Sequence, residues 1–134
     1  MINSTDNSNQ IVCSTDEISQ FIDSIDGKVQ SFEGVERRSW RRYVVAIPTV
    51  VFRLDDQDKT CGAPMHAVTR DISVGGISII HSEPIQDERL KLRLFSPSGK
   101  TIQVFVDVRR CQPMGNYFEI AGEFEMLPVS DLPN

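Results

Sequence analysis

Leu90-Lys91-Leu92-Arg93-Leu94 and Ile102-Gln103-Val104-Phe105-Val106-Asp107-Val108-Arg109 alternate apolar residues with mostly polar ones. A side-chain period of two marks a strand with one face in a core and the other toward water. Working outward, Tyr43 to Leu54 is β-branched and apolar, with Pro48 marking an edge or a bulge. Met65 to Arg70 reads as a second strand and Gly76 to His81 as a third, after a polar loop from Asp55 to Gly62. Phe118, Ile120, Phe124 and Met126 share one face of a last strand, with Gly122 between them. Six strands with short turns predict an all-β fold, a small six-stranded antiparallel β-barrel whose closure removes exposed edges.

The amino-terminal part reads differently. Met1 to Val12 is rich in Asn and Ser with few large apolar residues, which predicts disorder at the start. Ser14-Thr15-Asp16-Glu17 is a capping box, with Ser14 as N-cap and Glu17 three residues on. Ile18, Phe21, Ile22 and Ile25 follow at helical spacing, and Gly27 is a C-cap signal, so a helix is expected over about 15–26. Its stripe is too short to hold a helix alone, and docking on its own domain is the default expectation. Ser31 to Glu36 reads as a linker. The chain thus divides into residues 1–34, a disordered start plus amphipathic helix and linker, and residues 35–134, the barrel domain. With only Leu127 to Asn134 after the last strand, no large carboxy-terminal helix is expected.

Bulk numbers narrow the class. A chain of 134 residues with 40% apolar content makes one domain of ordinary size. No run approaches the length of a membrane span, and Met1 to Gln10 lacks the basic and apolar regions of a signal peptide, so a soluble cytoplasmic protein with no membrane insertion is expected. Three cysteines at unrelated spacings indicate neither a disulfide framework nor a zinc site. The net charge of -5 is uneven: residues 1–36 hold seven acids and one base, residues 37–134 thirteen bases and twelve acids. The acidity belongs to the extension, and the basic cluster at the start of the remainder suits a small anionic ligand better than a long polyanion.

That cluster is Arg37-Arg38-Ser39-Trp40-Arg41-Arg42. Arginine offers bidentate donors to phosphates and to the O6 and N7 acceptors of guanine, and a planar face that stacks on a base. Taken alone, a run of arginines is usually a solvated surface. About thirty residues on stands Asp71-Ile72-Ser73-Val74-Gly75-Gly76. Asp71 can accept from guanine N1–H and N2–H, and Ser73 can bond a phosphate or a base edge. Gly75 and Gly76 allow a positive φ and a turn that exposes backbone N–H groups. Taken alone, an Asp/Ser turn with glycines is a common strand connection.

In this order, and followed by β-rich sequence, RRxxxR and DxSxxG resemble the PilZ domain family, whose members bind the bacterial second messenger cyclic di-GMP. The resemblance covers roughly residues 35–126 and rests on Arg37, Arg38, Arg42, Asp71, Ser73 and Gly76. It implies a PilZ-type barrel and a non-enzymatic receptor with no cofactor. Arg38 and Arg42 would be the main clamp and Arg37 an additional one, and the ligand-binding set would be Arg37, Arg38, Arg42, Asp71, Ser73, Gly75 and Gly76. A doubled arginine at the start is associated with binding the messenger as a stacked dimer. The expected partners are cyclic di-GMP and an unidentified protein that reads the ordered arginine segment. The alternative is a PilZ-like interaction module that leaves the nucleotide site unused.

Other chemistries fit less well. Asp56-Gln57-Asp58-Lys59-Thr60 opens like a calcium loop but has Cys61 where glycine is needed and Ala67 where glutamate is needed. His66 and His81 have no ligand or catalytic spacing, and no nucleophile-elbow, P-loop or zinc-protease motif occurs. A barrel for polymeric nucleic acid would want exposed stacking aromatics and a basic surface, which this chain lacks. Trp40, between Ser39 and Arg41, could cover a ligand base or pack on the barrel, and packing is the favoured reading.

Overall fold

The computed structural model describes residues 11, 14–25, 27, 29–30 and 41–126. Arg37, Arg38 and Trp40, and the expected disorder before Ile11, lie outside the described residues. Helix α1 (Thr15–Asp23) is followed by β1 (Val29–Gln30), β2 (Tyr43–Val44), β3 (Pro48–Leu54), β4 (Thr60–Ile72), β5 (Gly76–His81), β6 (Arg89–Phe95), β7 (Thr101–Met114) and β8 (Tyr117–Phe124). The pairing order β4-β3-β6-β7-β8-β5 returns to β4, so six antiparallel strands close a ring. The expected six-stranded barrel is therefore present. β2 adds to the end of β4, and β1 adds to β2 with Val29 opposite Val44 and Gln30 opposite Tyr43.

The alternating residues line the inside. Val51, Leu90, Leu92, Leu94, Val104 and Val106 are buried, together with Ile77, Ile79 and Ile120. Each such side chain contributes roughly 1.5–3 kcal/mol on leaving water. Helix α1 brings Ile18, Phe21 and Ile22 into this same core, and Ile25, just past its cap, joins them, so the extension docks on its own barrel. Its start follows the capping box: the Ser14 hydroxyl oxygen accepts the Glu17 N–H at 3.2 Å and donates to the Glu17 carboxylate at 3.1 Å. Its end does not follow the expectation. The helix stops at Asp23, because Ser24 caps it by donating its hydroxyl to the Phe21 carbonyl and its N–H to Gln20 and Phe21. Gly27, at φ +77, lies beyond the cap, before β1.

The run Tyr43 to Leu54 is two strands, not one. Between them Thr69 replaces the ladder: its hydroxyl oxygen accepts the Ile47 N–H at 2.9 Å, and the hydroxyl donates to the Val45 carbonyl. β4 begins five residues before the expected Met65, because Asp55 to Lys59 already makes a complete turn. The Asp55 carboxylate accepts the N–H groups of Gln57 at 2.8 Å and Lys59 at 3.0 Å.

Candidate functional site

β4 and β5 meet at the turn Ser73–Gly75, and its chemistry is largely internal. The Ser73 N–H donates to the Gly76 carbonyl at 2.9 Å, closing the turn. The Ser73 hydroxyl oxygen accepts the N–H groups of Gly75 and Gly76, both at 3.2 Å. The Gly75 carbonyl accepts the Phe124 N–H at 3.0 Å, which ties the turn to the end of β8. Two expectations are thereby corrected. The backbone donors of the glycines are aimed at Ser73 and not outward. Neither Gly75 nor Gly76 is among the positive-φ glycines, which in the described residues are Gly27, Gly62, Gly99 and Gly115. Gly76 is required for a different reason: a Cβ there would stand 2.5 Å from the Gly122 carbonyl oxygen. Gly122 is constrained in the same way, since its Cβ would stand 2.3 Å from the Asp107 carbonyl oxygen.

Asp71 sits at the end of β4, not in the turn, between Val44 of β2 and Ser78 of β5. Arg42, directly before β2, donates Nη2 to Asp71 Oδ1 at 2.9 Å. Burial pushes the Asp71 carboxyl above its usual range against the pull of Arg42 and Arg70, and nearby Glu119 adds to the rise. The structure therefore brings together Arg42 and Asp71, and places Ser73, Gly75 and Gly76 beside them.

A cleft of about 550 Å³ opens here, lined by Arg42, Ser73, Gly75, Gly76, Glu123 and, from the helix, Thr15. A second cleft of about 310 Å³ lies between α1 and β2, lined by Asp16, Ser19, Arg41 and Tyr43, and shares Thr15 and Val74 with the first. Asp71 is not part of either wall, but its ion-pair partner Arg42 lines the first.

On the outer face of the barrel next to Asp71 stands a cluster that the sequence reading missed. Glu119 is only 1% exposed, and its carboxylate accepts from four donors: Ser78 at 2.6 Å, Arg70 at 2.8 Å, Gln112 at 2.7 Å and Arg110 at 3.2 Å. Burial alone would raise its pKa, but those four hydrogen bonds prevail and hold it down to about 2. In sequence Glu119 is a single acid at an outward position of a strand, which looks like ordinary solvent face. Only the register of β4, β5, β7 and β8 reveals the cluster.

Comparison with known proteins fits this geometry. The PilZ domain family matches residues 36–132. Among curated proteins no sequence match is found. Among solved structures, the fold is similar to the Bacillus subtilis inhibitor of motility MotI/DgrA, with a TM-score of 0.54 and 17% identity over 72% of this chain and 46% of that one. It is also similar to the protein in the K. pneumonia MrkH–c-di-GMP complex, with a TM-score of 0.53 and 19% identity over 72% of this chain and 47% of that one. This chain thus spans under half the length of either neighbour.

Proposed function

Because the chain belongs to the PilZ domain family, we infer that it is a non-enzymatic receptor for cyclic di-GMP, read through RRxxxR and DxSxxG. The observation that carries this reading is the Arg42–Asp71 ion pair at the mouth of the glycine turn. Those two groups want the two halves of such a ligand: a guanidinium suits a phosphate, and a carboxylate suits the N1–H and N2–H edge of guanine. In the free protein they occupy each other. Ligand entry exchanges one ion pair for two charge-assisted contacts. Arg37 and Arg38 supply further donors, sufficient for two phosphates or for a stacked dimer of the messenger.

Ser73 and Gly76 act on the ligand through the shape of the turn, which fixes the direction in which β4 delivers Asp71. Both are explained by the fold itself, so the ligand reading rests on Arg37, Arg38, Arg42 and Asp71. This same observation favours the alternative, an interaction module with the nucleotide site unused, to the extent that an intact DxSxxG turn needs no ligand.

In the leading reading the output is the ordering of the arginine segment against the barrel, and a protein partner recognises the new surface. A cytoplasmic location goes with that role; among the described residues no helix is long and apolar enough to cross a membrane. Calorimetry with cyclic di-GMP, GTP and a short oligonucleotide separates the readings. Micromolar or tighter binding of the dinucleotide alone supports the receptor, and no binding of any of the three leaves the interaction module.

A further inference from the structure

Arg41 stands inside the arginine cluster but outside the RRxxxR pattern, and the receptor reading gives it no task. It is the direct chain neighbour of Arg42, yet the two residues line different clefts. Arg42 belongs to the wall of the first, with Ser73, Gly75 and Gly76, and Arg41 to the wall of the second, with helix α1. Thr15 and Val74 are common to both walls, so the two clefts adjoin.

To the second cleft α1 contributes Asp16, Ser19 and Asp23. Their spacing of three and four residues puts them in one row along the helix, and both aspartates are exposed. Among the described residues that line this cleft, Arg41 is the only cation. Asp16 lies in the first turn of α1, where the helix dipole favours a negative charge. Asp23 is the last residue of α1, where the same dipole opposes one, and no basic residue stands in that last turn. Helix stability therefore does not account for Asp23, whereas a cation lining the same cleft offsets the unfavourable position.

We propose that α1 is an electrostatic competitor for the arginine segment: Asp16 and Asp23 draw Arg41 toward the second cleft in the free protein, and cyclic di-GMP must win the segment from them. The inference rests on the receptor reading above and adds to it an affinity set by the extension. Arg42 is held in the same way by Asp71. Adjacent arginines are thus drawn to acids of two different elements, one on the helix and one on the barrel, and the phosphates of the ligand compete with both. The attraction of Arg41 is between exposed groups, so it is modest and screened by salt. It tunes the affinity and does not abolish binding.

The test is calorimetry with cyclic di-GMP on the full chain, in a cycle of four proteins: the parent, Asp16→Asn with Asp23→Asn, Arg41→Gln, and all three substitutions together. Point substitutions are used because deleting α1 would also remove its buried side chains and β1. The variant without the two aspartates is expected to bind about threefold more tightly than the parent at low salt. In the Arg41→Gln background the same two substitutions should leave the affinity unchanged, and Arg41→Lys, which keeps the charge, should restore the gain. Direct repulsion between the aspartates and the ligand would instead give an equal gain in every background. Thermal melting checks that each variant folds, and Asp23→Asn alone serves if the pair does not. Unchanged affinity on removing the aspartates, or an equal gain with and without Arg41, overturns the proposal while the receptor reading stands. Failure of the parent to bind cyclic di-GMP at all overturns both.

Discussion

Arg42 and Asp71 lie 29 positions apart in the chain and 2.9 Å apart in the fold. The pairing of β2 with β4 brings them together, and each satisfies the other while no ligand is bound. Arg42→Ala is therefore expected to remove a phosphate contact and to leave Asp71 buried without its nearest cation. A lost charge-assisted hydrogen bond costs about 1.5–3 kcal/mol. We expect Arg42→Ala and Arg38→Ala each to weaken cyclic di-GMP binding at least about tenfold by calorimetry. Undiminished affinity in both variants excludes the clamp.

Asp71→Ala should weaken cyclic di-GMP binding, and the parent should bind cyclic di-AMP far more weakly than cyclic di-GMP. Competition between the two dinucleotides measures this directly. Equal affinity means that the carboxylate reads no guanine edge.

Glu119 makes stability depend on acid. Its folded-state pKa of about 2 lies below the ordinary 4.5, so its contribution is complete above about pH 4.5 and is lost as pH falls toward 2. A shift of that size corresponds to about 3 kcal/mol. Urea unfolding of the parent at pH 7, 4 and 3 should show that loss. Glu119→Gln should be less stable at pH 7 and should lack this part of the pH dependence. Identical pH profiles would remove the carboxylate from the account.

Gly122→Ala and Gly76→Ala test the close approach of β5, β8 and β7. The added methyl at Gly122 meets the Asp107 carbonyl oxygen and a Val106 methyl at 2.6 Å, and the one at Gly76 meets the Gly122 carbonyl oxygen at 2.5 Å. Backbone cannot yield as a side-chain tip does, so each variant is expected to lose about 1–3 kcal/mol of stability. An unchanged denaturation midpoint in either would contradict the tight approach.

Removing residues 1–30 takes away α1 with its buried Ile18, Phe21 and Ile22, the buried Ile25 after it, and also β1. The truncated chain should be less soluble, because the core loses its cover, and should bind cyclic di-GMP more weakly. A truncated protein of the same solubility and the same affinity would make the extension a mere appendage.

The barrel was legible in sequence wherever one face of a strand is dry. β6 and the first half of β7 could be read residue by residue. The start of β4, Thr60 to Pro64, is exposed throughout, so no hydrophobic period betrays it. β1 and β2 have two residues each, too few for any period. At the site, the residue types were legible and their roles only in part. Ser73 was read as facing a ligand, but a hydroxyl two and three positions before free N–H groups finds them first. Glu119, Arg70 and Arg110 come from three strands, and nothing in local sequence brings them together.

The pairing of β1 with β2 limits where the arginine stretch can lie. Gln30 lies opposite Tyr43, so the two ends of the stretch between them are held side by side. Arg37, Arg38, Arg41 and Arg42 all belong to that stretch. Arg38 is five residues from Tyr43, and a fully extended chain of that length reaches only about 17 Å. Chain length alone thus bounds how far from Tyr43 an arginine at position 38 can stand, whichever path the stretch takes.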